Sequence, residues 1–452
     1  MPKTSFLFTD HCSLIGASLH TMERGAFRMS DFSSLIYGYD QKIPTKFGLK
    51  RYINLDNAAS TPPFKAVMKL IAKEGLFYSN IHRGAGYKSQ YMTTRYEESR
   101  KTVAEYVHAD PDHDVVIFTK NTTDSLNKLR HYLPFLPGEL VIFTRMEHHS
   151  NELPWINQRH VIIELKKDHL DLDQLKTVLK QNRGNVKLLA VTGASNVTGY
   201  LPPIHTLAEM AHSAGTRILV DAAQLAPHRP IRVYPATDPR HIDFLAFSGH
   251  KMYAPFGSGV LIGPKWLFSQ GTPSQVGGGT VKAVDFEGIS WTNPPDVEEA
   301  GSPNVFGALT IAKTCTVLNE IGWDELICHE QRLLEVTLAG LKKIPKIRVY
   351  NESTPQRVGV ISFNVEGMYH QTVAEALAEY GIGVRTGCFC ARNYVKHLLN
   401  LSQLTYQAVE HNKLPGMVRI SFGCYNNLKE VHYLLEVLEE IVLKDIKRYY
   451  LT

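Results

Sequence analysis

Short apolar runs alternate with longer amphipathic stretches through the first two thirds of the chain. The apolar runs predict buried strands, and the stretches between them predict helices. The predicted strands lie at residues 115–119, 140–144, 161–165, 188–192, 218–221 and 244–247. Strands that alternate with helices imply right-handed crossovers and a mainly parallel sheet. We therefore predict an α/β fold with helices on both faces of the sheet.

The pattern changes after residue 304. Long helical stretches at 305–321 and 325–343 precede short strands and helices, and an amphipathic stretch at 428–447 closes the chain. This order predicts a smaller α+β domain. We expect three parts, which are an N-terminal extension over residues 1–50, a large domain over 51–304 and a small domain over 305–452. The extension is expected to pack on the small domain or to be partly disordered, and a cleaved targeting segment is the alternative.

The composition of the 452 residues is that of an ordinary globular protein. Hydrophobic residues make up 44% and charged residues 21%, which suits a sizeable core. The net charge of +5 is small and no basic run stands out, so we expect no nucleic-acid partner. No apolar run reaches the length of a membrane span, so we expect no membrane partner. Six cysteines without an evident secretory signal favour a cytoplasmic location, with organellar targeting by residues 1–50 left open.

Several polar residues of the expected large domain each follow a predicted strand: Thr123, His148, Asn196, Asp221 and Lys251. The carboxyl ends of parallel strands meet at one edge of a sheet, where ligands of open α/β sheets bind. This shared position predicts that the side chains form one site.

Lys251 and Asp221 have the chemistry that a covalent cofactor needs. A buried lysine that stays partly neutral can form a Schiff base with pyridoxal phosphate, and a carboxylate can keep the pyridine nitrogen protonated. Ser248 and His250 can donate to a phosphate, and Gln224 can reach the phenolic oxygen. Each stretch alone also suits a solvated lysine or a helix-capping aspartate, but their succession in one alternating pattern favours the cofactor.

Four further residues suit the same ligand. Thr122 and Thr123 follow a strand and begin a helical stretch, where backbone N–H groups and hydroxyls converge on a phosphate, although both also suit plain N-caps. The imidazole of His148 could stack on a pyridine ring and move a proton. Asn196 could hydrogen-bond the cofactor or a substrate carboxylate.

Five ordered motifs carry a resemblance to a known family. The chain resembles the fold-type I, class V aminotransferase superfamily of pyridoxal-phosphate enzymes, and within it the group II cysteine desulfurases and selenocysteine lyases. The resemblance runs from about residue 54 to the C-terminus, and the stretch around Cys390 is also similar to the desulfurase-like part of molybdenum cofactor sulfurases. The motifs are RMEHHSN at 145–151, ASNVTG at 194–199, VDAAQ at 220–224, SGHK at 248–251 and RTGCFC at 385–390.

The resemblance assigns further roles. It implies that Cys390 is the nucleophile and that Arg419 holds the substrate carboxylate through two parallel hydrogen bonds, as guanidinium groups do. His82 and Arg83 are expected near the active site. A homodimer is also implied, with Ser302 as a phosphate ligand across the interface, although its GSPN sequence equally suits a plain turn.

The RTGCFC motif departs from the group II pattern. Cys388 stands where desulfurases commonly have histidine, and the connection over residues 400–416 is longer than a compact desulfurase needs. That connection could cover Cys390 or dock a sulfur acceptor. Two cysteines without a second pair or a paired histidine are a weak zinc signal, so we expect no metal.

Together these observations predict a homodimeric pyridoxal-phosphate enzyme that removes sulfur from L-cysteine. The products would be L-alanine and a persulfide on Cys390, from which an acceptor protein could take the sulfur. A C–S lyase, selenocysteine lyase, epimerase or aminotransferase acting on another amino acid could use the same pocket. A non-catalytic binding scaffold of this fold is the third alternative.

Overall fold

The computed structural model describes residues 31–354, 356–402 and 414–450, with side chains as far as residue 444. Its strands, numbered in chain order, are β1 (Lys42–Thr45), β2 (Gly48–Arg51), β3 (Ile53–Asn54), β4 (Asp114–Thr119), β5 (Leu140–Thr144), β6 (His160–Ile163), β7 (Leu165–Lys166), β8 (His169–Leu170), β9 (Val186–Thr192), β10 (Arg217–Asp221), β11 (Phe244–Ser248), β12 (Gly259–Pro264), β13 (Val281–Val284), β14 (Ile289–Trp291), β15 (Ile347–Val349), β16 (Val360–Val365), β17 (Ile382–Gly383), β18 (Arg385–Gly387) and β19 (Met417–Ser421). The helices are α1 (Lys65–Glu74), α2 (Tyr87–Tyr106), α3 (Thr122–Tyr132), α4 (His149–Glu152), α5 (Leu172–Gln181), α6 (Ile204–Ser213), α7 (Lys265–Phe268), α8 (Val305–Ile321), α9 (Trp323–Leu341), α10 (His370–Glu379), α11 (Arg392–Leu398) and α12 (Leu428–Tyr450).

Seven strands form the central sheet, in the order β4-β12-β11-β10-β9-β5-β6. Neighbouring strands from β11 to β6 are parallel, whereas β12 is antiparallel to both β11 and β4. Strand β12 reverses because only residues 249–258 separate it from β11, which is too short a connection for a helical crossover. The predicted α/β fold with a mainly parallel sheet is confirmed.

Strand β5 shows why these apolar runs form a covered sheet. Leu140 and Ile142 belong to one core cluster, while Val141 and Phe143, on the opposite face, belong to another. Helix α6 packs on the first face and α3 on the second. Both faces are therefore buried, and the strands contain apolar residues without alternation.

A second sheet of four antiparallel strands, in the order β15-β16-β19-β18, forms from the last third of the chain. Helices α9 and α10 contact this sheet, and α12 packs against α9. Helix α8 instead packs against α1 and α2, although it follows the expected boundary at residue 304. The division into domains at that residue stays a prediction.

The segment before β3 contacts the C-terminal part of the chain. Tyr39 Oη donates to Glu430 (3.2 Å), Arg51 pairs with the same carboxylate (2.6 Å), and Lys46 pairs with Glu379 (2.7 Å). The role of the extension stays a prediction, because residues 1–30 lie outside the described residues, as does most of the 400–416 connection. Within the described part of the chain, no helix is long and apolar enough to cross a membrane.

Gly199 lies where the segment after β9 contacts the segment before β16, at a point where a side chain does not fit. Its carbonyl accepts a hydrogen bond from the Val358 N–H (2.8 Å), and its φ is +77°. A Cβ at this position would lie 2.6 Å from the carbonyl oxygen of Val358 and 2.9 Å from that of Val360. Glycine is therefore required here by both backbone conformation and space.

We predict that Gly199→Ala destabilises the fold more than Gly184→Ala. Gly184 has a similar φ of +81° but open space around it, so its substitution costs only about 1 kcal/mol of left-handed strain. Crowding against two carbonyls should lower the free energy of unfolding by about 2 kcal/mol more at Gly199. Urea unfolding of both variants measures the difference, and equal losses would contradict the crowding.

Candidate active site

A cavity of about 330 Å³ lies at the carboxyl edge of the central sheet. Asp221 and Ser248 end β10 and β11, and Thr122 begins α3 directly after β4. Parallel strands deliver these groups to one edge, which explains their convergence. Most of the residues singled out from the sequence line this cavity: Thr122, Thr123, His148, Asn196, Asp221, Gln224, Ser248, His250, Lys251, Cys390 and Arg419.

Hydroxyl groups and the N-terminus of α3 form one end of the cavity. The backbone N–H of Thr122 donates to Ser248 Oγ (2.8 Å), and the two side-chain hydroxyls lie 2.6 Å apart. The hydroxyl of Thr123 bonds that of Ser150 (2.7 Å). A Cβ at Gly259 would lie 2.6 Å from the Asn121 Cα, so glycine allows the turn before α3 to approach β12. This end suits an anion such as a phosphate.

Lys251 lines the cavity, and its side chain is half-buried. Burial lowers the pKa of its ammonium to about 8; the charge of Arg419 also lowers it, whereas Asp221 and Cys390 raise it. About a tenth of the amine is then neutral at pH 7, far more than for an exposed lysine. Lys251 can therefore act both as a nucleophile and as a proton carrier.

Asp221 and Gln224 are buried residues of the cavity wall. Burial raises the pKa of Asp221, and the Ala223 N–H (3.0 Å) together with Lys251 lowers it. The Gln224 amide donates to the Ala58 carbonyl (2.6 Å), but its buried Oε1 has no hydrogen-bond partner among the described residues. An unsatisfied buried amide in a cavity wall indicates that a ligand completes it.

His148 is a neutral imidazole at this site. Burial lowers its pKa to about 3, assisted by the charges of Lys251, His149 and Arg419. Its Nδ1 accepts the Ser150 N–H (3.0 Å), which leaves the ring proton on Nε2 as a donor.

Arg419 also lines the cavity and is held by three neighbours. Its guanidinium donates to the Asn196 carbonyl (2.9 Å) and to Asp56 Oδ1 (3.1 Å), and it lies 4.9 Å from the centre of the Phe389 ring. Arg385 pairs with the other oxygen of Asp56 (2.8 Å). Arg419 Nε has no partner among the described residues, so the guanidinium keeps donor capacity for a carboxylate in the cavity.

Cys390 projects from a tight turn at the cavity mouth. Phe389 and Cys390 both have left-handed φ values, of 52° and 53°, and their carbonyls are fixed by the Asn196 side chain (2.7 Å) and the His149 N–H (2.6 Å). The Cys390 side chain is exposed, whereas Cys388 is half-buried with its Sγ 3.4 Å from the Pro415 carbonyl oxygen. The turn therefore presents Cys390 to the cavity and to solvent.

Three residues that the sequence analysis named do not line this cavity. Ser302 lines a separate cavity beside Lys120 and Asn304, and His82 bonds Glu97 (3.2 Å), with Arg83 following it. His82 and Arg83 are expected near the active site, and Ser302 is expected to contact the phosphate across a dimer interface. These roles stay predictions.

The aminotransferase class-V family model matches residues 53–434. The chain belongs to this family. A "Probable cysteine desulfurase" of Pyrococcus abyssi is 36% identical over 401 residues, which cover 86% of this chain and 94% of the relative. The apo structure of a cysteine desulfurase from Thermococcus onnurineus NA1 aligns with a TM-score of 0.78 at 34% identity, over 87% of this chain and 95% of that chain. The Escherichia coli cysteine desulfurase CsdA aligns with a TM-score of 0.74 at 29% identity, over the same shares.

These similarities confirm the resemblance to class V aminotransferases that the motifs predicted. Four residues in or beside the site were nevertheless not predicted from the sequence: Asp56, Glu147, Arg385 and Phe389. Three of them lie inside the quoted family motifs, so the motifs could have indicated them. Asp56 had no such signal, because its partners are far away in the sequence.

Glu147 is a buried carboxyl group behind the cavity. It accepts hydrogen bonds from the Thr144 hydroxyl (2.5 Å) and the Thr192 N–H (3.0 Å), and its other oxygen lies 2.7 Å from the Asn151 amide. Burial raises the pKa of Glu147 to about 8, outweighing these hydrogen bonds, and nearby Asp221 raises it further. Asn151 Oδ1 has no partner among the described residues, so a turned amide can accept the proton of a neutral Glu147.

We predict that Glu147→Gln stabilises the protein in alkaline solution relative to the wild type. The pKa of Glu147 is raised above its unfolded value of 4.5, so its stabilising effect is present below that value and is lost as pH rises through about 8. Glutamine resembles the neutral acid and does not titrate. The difference in melting temperature, variant minus wild type, should therefore increase between about pH 5 and about pH 9. The exposed Glu320→Gln serves as control; a flat difference for both variants would show that Glu147 is ionised throughout.

Proposed function

We propose that this chain is a pyridoxal-phosphate-dependent cysteine desulfurase that converts L-cysteine to L-alanine and keeps the sulfur as a persulfide on Cys390. One observation carries the proposal: Cys390, Lys251 and Arg419 line the same cavity. Cys390 is also close enough for its charge to affect the pKa values of both other residues. The names of the relatives support the same reaction.

The residues of the cavity fit pyridoxal phosphate. Lys251 suits its aldehyde, Asp221 suits its pyridine nitrogen, and the hydroxyls with the start of α3 suit its phosphate. The unsatisfied Oε1 of Gln224 indicates that a polar ligand occupies this wall. When bound, the cofactor supplies an electron sink for the amino acid's reacting carbons.

Arg419 binds the substrate, and Lys251 moves a proton to and from it. The Arg419 guanidinium pairs with the α-carboxylate while Asp56 holds it in orientation. The amine of Lys251, with its pKa near 8, accepts the proton that leaves the α-carbon and returns a proton to that carbon when alanine forms. His148, neutral and with its donor on Nε2, can donate a hydrogen bond to the ligand in the cavity.

Cys390 takes the sulfur. Its Sγ forms a bond with the substrate sulfur while the carbon–sulfur bond breaks, and the electron pair of that bond remains with the carbon. Of the two thiol protons, one reaches the methyl group of alanine and the other stays on the persulfide. The exposed position of Cys390 suits transfer of this sulfur to an acceptor protein.

We also propose a homodimer in the cytoplasm. Val284, Phe286 and Ile289 of the β13–β14 hairpin expose large apolar side chains, with Val284 65% and Ile289 54% accessible. Such a patch is stabilised when a partner covers it. A partner copy is the occupant that the expected role of Ser302 requires, and the reducing cytoplasm keeps Cys390 as a thiol.

The cofactor assignment predicts a covalent adduct on one lysine. Borohydride treatment of protein loaded with pyridoxal phosphate should fix the cofactor on Lys251, because burial keeps its amine reactive. Peptide mapping by mass spectrometry locates the adduct. Lys265→Ala, at an exposed lysine, should map like the wild type, whereas an adduct on another lysine would contradict the assignment.

The sulfur-transfer step predicts different losses at the two cysteines of the RTGCFC motif. Cys390→Ser should produce almost no alanine from L-cysteine, about a thousandfold less than the wild type, because a hydroxyl is a poor nucleophile toward sulfur. Cofactor uptake should be unchanged. Cys388→Ser should lose much less activity, and single-turnover mass spectrometry should find one added, reducible sulfur on the peptide that contains Cys390.

The reaction products separate the alternatives. Release of sulfide and pyruvate by Cys390→Ser at the wild-type rate would replace the desulfurase with a β-elimination lyase. A larger loss at Cys388→Ser than at Cys390→Ser would move the nucleophile to Cys388.

A further inference from the structure

Two histidines and an aspartate meet at the end of the central sheet that lies away from the cavity. His113 precedes β4, Asp114 is the first residue of that strand, and His241 lies just before β11. Ligand atoms of the three side chains all lie within 4.8 Å of one another. Because β4 spans six residues, about 20 Å of strand separates this cluster from the candidate active site.

His241 carries an unsatisfied nitrogen into the cluster. Its side chain is only 3% exposed, and its Nδ1 lies 2.8 Å from the Tyr234 carbonyl oxygen. A carbonyl only accepts, so Nδ1 carries a proton, and in the neutral form of such a ring Nε2 presents a lone pair. Nε2 has no hydrogen-bond partner in the described part of the chain. An Nδ1–H bonded to a backbone carbonyl with Nε2 free is the usual arrangement of a metal-binding histidine.

Asp114 faces both histidines. Its side chain is 1% exposed; Oδ1 lies 2.9 Å from His113 Nδ1 and 3.9 Å from His241 Nε2, and Oδ2 accepts the Asp110 N–H (2.9 Å). The 3.9 Å separation is too long for a hydrogen bond. A cation between an Nε2 lone pair and a carboxylate oxygen at this distance would attract both atoms.

We propose that His113, Asp114 and His241 form a binding site for a divalent ion of the zinc class. Two imidazole nitrogens and one carboxylate oxygen match the ligand preference of Zn²⁺. Bonds of about 2.0–2.1 Å in a tetrahedron separate ligand atoms by about 3.3 Å, which lies between the two distances measured to Asp114 Oδ1. The His113 side chain is 29% exposed, so the ion enters from that side and completes its coordination with water.

The ion would have a structural role. It would cross-link the segment before β4 to the segment before β11, which already connect through the Ala236 N–H to Asp110 (3.1 Å) and the Val233 N–H to the Val107 carbonyl (2.9 Å). These two strands lead to the start of α3 and to Lys251 at the other end of the sheet. The site thus fixes the relative position of two strands that form the cavity.

Cobalt binding tests the proposal, with Co²⁺ as a spectroscopic substitute for Zn²⁺. The full chain with Cys388→Ser and Cys390→Ser, which removes the thiols of the candidate active site, is stripped with a chelator and titrated. We expect one Co²⁺ per chain, with visible ligand-field bands and no thiolate-to-cobalt charge transfer, and displacement by Zn²⁺. His241→Gln should weaken binding about a hundredfold, whereas His169→Gln, at an exposed histidine, should leave it unchanged.

His113→Gln provides a second variant. Because the His113 side chain is partly exposed, this substitution should disturb folding less than His241→Gln. Zn²⁺ should raise the melting temperature of the parent protein but not of His113→Gln. Absence of Co²⁺ binding would show that the cluster is a metal-free hydrogen-bonded chain and would overturn the proposal. Binding that survives both His113→Gln and His241→Gln would overturn it as well, because the ion would then lie elsewhere.

Discussion

One extended segment, residues 53–59, holds the two sheets together and thereby creates the cavity. Strand β3 pairs in parallel with β17, and the Leu55 carbonyl accepts the Ser421 N–H (2.7 Å). A few residues later the Ala58 carbonyl accepts a hydrogen bond from the Gln224 amide (2.6 Å), which lies in the turn after β10 of the central sheet. Asp56 lies between these contacts and pairs with Arg419. The position of the cavity-lining Arg419 guanidinium therefore depends on a segment that itself carries none of the expected catalytic groups.

Burial controls the chemistry of the site because it acts on opposite charges in opposite directions. The same desolvation that lowers the pKa of Lys251 raises the pKa of Asp221, and each charge limits the shift of the other. His148 is kept neutral by the same cause. A substitution that admits water would therefore change several ionisation states together rather than one.

Features that depend on local sequence pattern could be predicted from the sequence. Features that depend on contacts between distant residues could not. Lys251 and Asp221 could be found because each follows an apolar strand, and parallel strands bring their carboxyl ends together. The Asp56–Arg419 pair and the cluster around His241 left no local signal, because their members are brought together only by the folded chain. The reversed direction of β12 depends on the length of the connection that precedes it. The protonation of Glu147 depends on its burial, which the spacing of residues in the sequence does not show.

The turn at Phe389 and Cys390 places the Cys390 thiol where large molecules can touch it, while Lys251 and Asp221 lie inside the cavity. A thiol that an acceptor protein can reach can also be reached by peroxide and other oxidants. Burial protects Cys315 and Cys424 by raising the pKa of both thiols, that of Cys424 to about 12, so neither readily forms the thiolate that oxidants attack. Oxidation of the Cys390 sulfur would then inactivate the protein, because the proposed reaction requires this atom. Cellular reductants would determine how long each copy of the protein stays active.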